Sequence, residues 1–300
     1  MKKILVLGTK GFLGRHVLRQ LVYRFDADNI YASTCEKAIL PLNNFIEARF
    51  LFNNQQILSD FIRDSNIDTI VNCMGTLGNQ LDSNGGDLEG AQVLSSILEL
   101  LSTSPHLIHI GSVSEISAKL VPKGRQTPYS RRKLEITDLF LREGCGNRIS
   151  SAVSILLIEN LIGFGMNRNT ILGRLYSEVF EKCGDSIIFG DLGARRDYID
   201  VRDVADLVAR VCDYRDGFPP ADPLLVGTGV LVRLRDLIST IQNQSSKVFT
   251  VVEKVGREPP SNPEVLRLVD LEVLKNRFAW EPQYSIDESI GYFLNEYKNN

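Results

Sequence analysis

The chain lacks any apolar run long enough to cross a membrane, and it has no excess of charge of either sign. Its 300 residues include 34 lysines and arginines against 37 aspartates and glutamates, which gives a net charge of −3. Without a basic excess, the attraction that drives most binding to nucleic acid or anionic membranes is missing. We therefore expect no nucleic-acid or membrane partner, and the absence of a cleavable signal pattern predicts a cytoplasmic protein.

Cysteine and histidine are also scarce. The five cysteines are odd in number and show no Cys-x-x-Cys spacing, so no disulfide framework is predicted. The three histidines, His16, His106 and His109, have no metal-ligand spacing, and we predict no metal site. His109 alternates with isoleucines inside a predicted strand, a pattern that indicates core packing.

The first fourteen residues carry the clearest pattern that is present. The apolar run Ile4-Leu5-Val6-Leu7 is short enough for a buried parallel strand and stops at Gly8. Gly11 and Gly14 follow at three-residue spacing, before a helical pattern. Between a strand and a helix, such glycines allow a tight turn, the approach of a pyrophosphate and close helix packing, although an ordinary turn is the alternative. The predicted dinucleotide contacts from this turn are Gly8, Lys10, Gly11, Phe12, Leu13 and Gly14.

The end of the second predicted strand favours NADP(H) over NAD(H). An NAD-binding fold usually ends this strand, here residues 29–33, with a carboxylate for the ribose 2′-hydroxyl. Thr34 stands at that position and Lys37 lies nearby. A small polar residue with a cation suits a 2′-phosphate, whereas Glu36 argues for NAD(H), which therefore stays open.

Strand and helix patterns alternate up to about residue 110. Further strands are predicted at 50–52, 68–72 and 107–110. This alternation is typical of an α/β fold with a Rossmann-type, doubly wound parallel sheet. The cofactor contacts expected at the strand ends are Asn53, Asn72, Met74 and Gly75. Beyond residue 156 the pattern becomes irregular, so we predict a dinucleotide-binding domain over 1–160 and a smaller C-terminal α/β substrate lobe over 161–300, with 190–228 returning to the first domain.

Tyr129 and Lys133 form the second motif with chemical meaning. Thr127 and Pro128 fit the N-cap and first position of a helix, which places Tyr129 and Lys133 on one helix face. A lysine ammonium near a phenol lowers the pKa of the phenol, so that it can exchange a proton with a carbinol or carbonyl oxygen. A tyrosine with a lysine four residues later also occurs by chance, so the pair indicates an active site only together with the other motifs.

In order and spacing, these motifs resemble those of the extended short-chain dehydrogenase/reductases, and more closely the NAD-dependent epimerase/dehydratase family that acts on nucleotide sugars. The resemblance runs nearly end to end. Its further landmarks are residues 160–163, 190–205 and 226–229, Arg257 with Glu264, and residues 280–282. The C-terminal third looks most like the 4-keto-6-deoxyhexose reductases that make deoxysugars for bacterial surface polysaccharides such as O-antigen.

The resemblance implies an NADPH-dependent reductase whose substrate is a nucleotide-diphosphate sugar. Tyr129 would donate the proton, and Lys133 would tune it and hold the nicotinamide ribose. The substrate contacts implied by the resemblance are Asn160, Arg196, Arg257 and Glu264. For Arg196 a structural salt bridge with Asp197 is the alternative. A homodimer is a further expectation.

The serine turn departs from the family pattern. The expected hydroxyl falls on Val113 in one alignment and on Ser112 in another, so Ser112 and Ser114 are the candidate catalytic hydroxyls, with Ser112 favoured. Glu115 is a weaker candidate, because it would have to be protonated. Leu157 stands where the family often has an arginine.

Two other functions stay open at this stage. One is a nucleotide-sugar epimerase or dehydratase that retains NAD and regenerates it in each turnover. The other is a non-catalytic dinucleotide-binding sensor or scaffold, which Val113 and Leu157 favour and the Tyr129/Lys133 pair disfavours.

Overall fold

A computed structural model describes residues 2–34, 46–49, 55–75, 86–101, 105–145, 152–214, 223–245, 247–254 and 269–298. In chain order the strands are β1 (Ile4–Leu7), β2 (Ile30–Thr34), β3 (Ile46–Arg49), β4 (Thr69–Asn72), β5 (His106–Ser112), β6 (Val153–Ile158), β7 (Asn160–Ile162), β8 (Ser186–Phe189), β9 (Arg195–Asp200), β10 (Leu224–Val226), β11 (Leu231–Arg233) and β12 (Thr250–Glu253). The helices are α1 (Phe12–Arg24), α2 (Gln55–Asp64), α3 (Gly86–Leu100), α4 (Ser114–Leu120), α5 (Pro128–Cys145), α6 (Ile171–Tyr176), α7 (Val201–Asp213), α8 (Leu234–Ser245), α9 (Leu271–Phe278) and α10 (Ile286–Lys298).

Seven of these strands form a parallel sheet in the order β10-β6-β5-β4-β1-β2-β3. β1 is wholly buried, and its alternate side chains enter two different cores. Ile4 and Val6 pack under α1 and α7, whereas Leu5 and Leu7 pack under α2, α3 and α5. Helices therefore cover both faces of the sheet, as its continuous apolar strands require. The predicted Rossmann-type fold is confirmed.

The strand order reverses at β1: β2 and β3 are added on one side of it, and β4, β5 and β6 on the other. Ligands of doubly wound folds bind at the carboxyl ends of the strands at such a switch point. The ends of β1, β4 and β5 therefore define where a site is to be sought.

A second group of elements lies over that edge. β11, β9 and β7 form a three-stranded sheet, and β12 pairs with β8. α6, α8 and α10 pack around these strands in a third apolar core, which includes Tyr176, Leu237 and Phe293. β10, which follows β9 in the chain, lies in the main sheet beside β6.

The third strand of the structure comes just before the run for which the sequence predicts one. β3 spans Ile46–Arg49, and the predicted strand Phe50-Leu51-Phe52 lies outside the described residues. Ile46–Arg49 alternates apolar and charged residues, and it is identified as a strand by its pairing with β2. A short strand of this kind depends on its neighbour more than on its own composition.

The last described segment docks on α7. Trp280 is 1% exposed, and its indole N–H donates to the carbonyl oxygen of Asp203 at 3.0 Å. The carboxylate of Asp203 accepts from the backbone N–H groups of Gln283 and Tyr284. Within the described part of the chain, every helix is too short or too polar to span a bilayer.

Candidate active site

The glycine turn after β1 is built for close approach. Gly8 has φ +80°, and a Cβ there would lie 2.9 Å from the backbone of Cys73 and Met74. A Cβ on Gly14 would overlap the carbonyl of Gly8, so α1 can start this close to β1 only with glycine. The amide of Gly11 donates to Gly8 O at 2.9 Å and closes the turn. Without side chains in the way, a pyrophosphate can approach the backbone N–H groups at the N-terminus of α1, as dinucleotide binding requires.

A cavity of about 490 Å³ opens between this turn, the ends of β4 and β5, and the second group of elements. Its wall brings together eleven of the residues that the sequence predicts for cofactor, catalysis or substrate. They are Gly11, Phe12, Leu13, Met74, Gly75, Ser112, Ser114, Tyr129, Lys133, Asn160 and Arg196. Gly8, Lys10, Gly14 and Asn72 lie behind or beside this wall and do not line it.

Five predicted contacts are not placed by the structure. Lys37, Asn53, Arg257 and Glu264 lie outside the described residues. Thr34 ends β2, but its side chain also lies outside the described part. The predicted preference for NADP(H) therefore still depends on the sequence alone.

Tyr129 and Lys133 reach the cavity from the first turns of α5. That helix begins at Pro128, and the amide of Ser130 donates to the hydroxyl of Thr127 at 3.1 Å, which confirms the predicted N-cap. Lys133 is buried, and its ammonium donates to Ile110 O at 3.0 Å and to Met74 O at 3.5 Å. These two carbonyls hold the cation at the ends of β4 and β5, in the same cavity wall as Tyr129.

Ser112 and Ser114 lie together at the cavity, whose lining also includes Val113. Their hydroxyl oxygens are 2.9 Å apart, whereas Val113 is 7% exposed and packs in the core under α5. In an extended segment, residues two apart point the same way, so the sequence predicts that the two serines lie together, opposite Val113. The structure groups them for a different reason. Val113 has helical dihedral angles and α4 begins at Ser114, so the first turn of a helix brings the serines together.

Glu115 is a capping residue, not a group of the cavity wall. Its carboxylate accepts from the amide of Ser112 at 2.7 Å, while the hydroxyl of Ser112 accepts from the amide of Ser114 at 3.2 Å. Glu115 thereby makes one half of a Ser-x-x-Glu capping box, a sequence pattern that indicates a helix start. The other half is replaced, because the hydroxyl of Ser112 accepts from the amide of Ser114 and not from that of Glu115. Burial raises the pKa of Glu115, and the hydrogen bond from Ser112 opposes that shift. Glu115 thus fixes the backbone of Ser112.

Two residues next to the site carry no charge: Leu157 is apolar, and Cys73 has a neutral thiol. Leu157 is 6% exposed, and a Cβ on Gly111 would lie 2.6 Å from its Cδ2, so this position is filled by packing. Cys73 lines the cavity, and burial raises the pKa of its thiol to about 12. The thiol is therefore protonated at neutral pH.

Arg196 is not engaged in the salt bridge that the sequence left as an alternative. Its guanidinium donates to the carbonyl of Arg195 at 2.7 Å, and within the described residues no carboxylate pairs with it. The carboxylate of Asp197 instead accepts from the amides of Thr228 and Gly229 and from the Thr228 hydroxyl. The side-chain amide of Asn160 donates to the backbone carbonyl oxygen of Asp197 at 3.0 Å. Arg196 therefore remains a charged donor in the cavity wall.

Comparison with known proteins agrees with this geometry. The family model for the NAD dependent epimerase/dehydratase family matches residues 4–227. No curated protein is similar enough in sequence to count as a relative.

Several solved structures share the fold over the whole chain. The dTDP-glucose 4,6-dehydratase of Bacillus anthracis, in complex with NAD, has a TM-score of 0.79 at 17% identity, covering 100% of this chain and 97% of that one. The UDP-glucose 4-epimerase of Thermotoga maritima, with UDP-glucose, has a TM-score of 0.80 at 17% identity, covering 99% of each chain. RMD from Pseudomonas aeruginosa, complexed with NADPH, has a TM-score of 0.73 at 18% identity, covering 100% of this chain and 99% of that one.

The family match spans the glycine turn, the Tyr129/Lys133 helix and the Arg196 strand. The chain belongs to the NAD-dependent epimerase/dehydratase family and is an NAD(P)-dependent enzyme of the extended short-chain dehydrogenase/reductase type.

Proposed function

We propose that the protein is an NADPH-dependent reductase of a nucleotide-linked 4-keto-6-deoxyhexose. One observation carries the proposal: Tyr129, Lys133 and Ser112 line the same cavity as Arg196, a cation that no carboxylate of the described residues pairs with. The proton donor Tyr129, the hydroxyl donor Ser112 and the Arg196 guanidinium, which can bind phosphate, then face one ligand. The proposed location is the cytoplasm, where nucleotide sugars and NADPH are available.

The character of the cavity wall supports a deoxygenated sugar. Where the second group of elements meets the cavity, the wall combines apolar and polar side chains. The apolar ones are Leu161, Met166, Ile171, Leu172 and Leu231, and the polar or charged ones are Asn160, Thr170, Arg195, Arg196, Asp197 and Tyr198. Against the apolar part of this wall, a sugar hydroxyl would lose its hydrogen bonds to water without replacement, whereas a methyl group would gain apolar contact.

Tyr129 and Lys133 account for the proton in this reaction. When bound, the nicotinamide supplies the hydride that reduces the C4 carbonyl of the sugar. Tyr129 gives its phenolic proton to the oxygen that becomes an alkoxide. The Lys133 ammonium, held by Ile110 O and Met74 O, stabilises the resulting phenolate.

Ser112 is the second donor to the developing oxyanion. Its oxygen already accepts from the amide and the hydroxyl of Ser114. Its own O–H is therefore directed to another acceptor, and the two incoming hydrogen bonds polarise it further. A donor fixed in this way stabilises negative charge on the substrate oxygen as it forms.

The same site could serve an epimerase or dehydratase that retains NAD, and we keep this as a second candidate. The observation in its favour is that the fold is shared with a dTDP-glucose 4,6-dehydratase in complex with NAD. The two candidates differ in what the protein carries after purification. A retained cofactor stays with the protein through dialysis and is released on denaturation, whereas a reductase exchanges its cofactor in every cycle.

A cofactor titration and a turnover assay test the proposal together. We expect NADPH to bind more tightly than NADH, and Lys37→Glu to reverse or erase that preference. NADPH absorbance should fall when nucleotide-linked 4-keto-6-deoxyhexoses are added. Tighter binding of NADH, together with tightly retained NAD, would favour the second candidate instead.

A further inference from the structure

A buried histidine lies directly behind the part of the cavity wall formed by the end of β4. We propose that His109 is a positioning residue, which fixes the side-chain amide of Asn72 and thereby the backbone of residues 73–75. The inference rests on the proposed function in one respect: it takes residues 74 and 75 as the surface that meets the nicotinamide. It assigns to His109 a role beyond the core packing that its strand pattern predicts.

Asn72 connects His109 to the cavity wall. The two residues are register partners on β4 and β5, and each is 1% exposed. The amide nitrogen of Asn72 lies 3.3 Å from His109 Nδ1. The amide oxygen of Asn72 accepts from the backbone N–H of Met74 at 3.1 Å. The Asn72 side chain thus bends the chain after β4 into the turn that carries Met74 and Gly75.

The hydrogen-bond pattern defines the tautomer of His109. Because the oxygen of Asn72 is used by Met74, its NH₂ group must face His109, and Nδ1 must accept. The ring proton is then on Nε2. Burial, and after it the nearby charge of Lys133, lower the pKa of His109 well below its ordinary value, so the ring stays neutral and keeps its acceptor. The Phe140 ring, with its centroid 5.0 Å away, packs against the imidazole.

The consequence reaches the catalytic helix through the backbone. Met74 O accepts from the ammonium of Lys133, and a Cβ on Gly75 would lie only 3.0 Å from Lys133 Nζ. A displaced Met74 would therefore also displace one of the two carbonyls that hold Lys133. His109 itself does not line the cavity, so it acts through Asn72.

Three variants test this role. His109→Phe keeps an aromatic ring but removes the acceptor, and His109→Gln offers a carbonyl acceptor in its place. His106→Phe is the matched control, because His106 lies at the other end of β5 and its Nε2 is 2.7 Å from the hydroxyl of Ser154. The measurements are dissociation constants for NADPH and NADH by fluorescence titration, and thermal unfolding of each variant.

We expect His109→Phe to weaken dinucleotide binding by about threefold to tenfold, the equivalent of one neutral hydrogen bond. His109→Gln should recover most of that loss, and His106→Phe should lower the melting temperature without changing affinity. In an Asn72→Ala background, His109→Phe should have no further effect on affinity. The inference is overturned if His109→Phe and His106→Phe behave alike, or if the loss persists without Asn72.

A measurement that needs no cofactor separates this inference from the proposed function. With only three histidines in the chain, ¹⁵N-labelled histidine gives three rings to assign. We expect the His109 ring to carry its proton on Nε2 at neutral pH, and a proton on Nδ1 would contradict the proposal. Failure of the proposed function would appear differently, as unmodified protein that binds neither NADPH nor NADH.

Discussion

The hydroxyl of Ser114 donates to the hydroxyl oxygen of Ser112 at 2.9 Å, and the amide of Ser114 donates to the same oxygen. This relationship ranks the two serines. In the proposed reaction Ser112 is the donor to the substrate oxygen, and Ser114 supports it. Val113, at the position where the family pattern can place the hydroxyl, packs into the core and does not compete with them.

Ser112→Ala should therefore lower turnover more than Ser114→Ala, by about tenfold or more, because the first change removes the donor and the second only weakens it. NADPH affinity should be unchanged in both variants. The measurement is steady-state kinetics with saturating NADPH. Equal, negligible losses would show that this enzyme works without the loop hydroxyl.

Tyr129→Phe removes only a hydroxyl, so cofactor binding should stay nearly intact. Turnover should fall by ~10²–10⁴-fold, as expected for loss of a general acid. Lys133→Ala should lower both turnover and cofactor affinity, since Lys133 joins the ends of β4 and β5. Near-normal turnover of Tyr129→Phe would place the proton donor elsewhere.

Arg196→Ala should weaken nucleotide-sugar binding by about 1.5–3 kcal/mol, the range for a hydrogen bond to a charged group. Cofactor affinity should change little. Arg235→Ala is the matched control, because Arg235 is exposed and does not line the cavity, and its guanidinium makes only a long 3.5 Å contact to the carboxylate of Glu253 among the described residues. Calorimetric titration of both variants should separate them, and equal affinities would make Arg196 structural.

Asp203 predicts a pH-dependent stability of the C-terminal docking segment. Burial raises its pKa to about 6 from an ordinary 3.8, although the amides of Gln283 and Tyr284 oppose the shift. A raised carboxyl pKa means that the folded protein binds the proton more tightly than the unfolded chain. This group's stabilising contribution is complete below pH 3.8 and falls as pH rises to about 6. Its total is at most about 3 kcal/mol.

Urea unfolding followed by the fluorescence of Trp280, the one tryptophan of the chain, can measure this. Asp203→Asn removes the titration, so the difference in unfolding free energy between unmodified protein and variant should change between pH 4 and 6 and level off above. A difference that stays constant across this range would contradict the assignment.

Much of the fold and part of the site could be predicted because the signals are local. Gly8 is required by the backbone of its own turn, and Thr127 caps a helix that begins one residue later. The sequence predicts the grouping of Ser112 with Ser114 from an extended segment, whereas the structure produces it through the helical turn at Val113.

The remaining features depend on contacts distant in sequence. β3 is defined by its pairing with β2, and the role of His109 depends on Asn72, 37 residues earlier in the chain. Neither is visible in a local pattern. The cavity wall is drawn from the main sheet and from the second group of elements, so a local motif predicts the family more readily than the ligand.

The most direct test of the account is the fate of the hydride. NADPH carrying deuterium at the transferred position should be incubated with a nucleotide-linked 4-keto-6-deoxyhexose, and the sugar analysed by NMR. The account predicts one deuterium at C4 for each NADPH consumed. The Tyr129→Phe variant should transfer deuterium far more slowly. Conversion of the sugar without net consumption of NADPH, or with deuterium absent from C4, would contradict it.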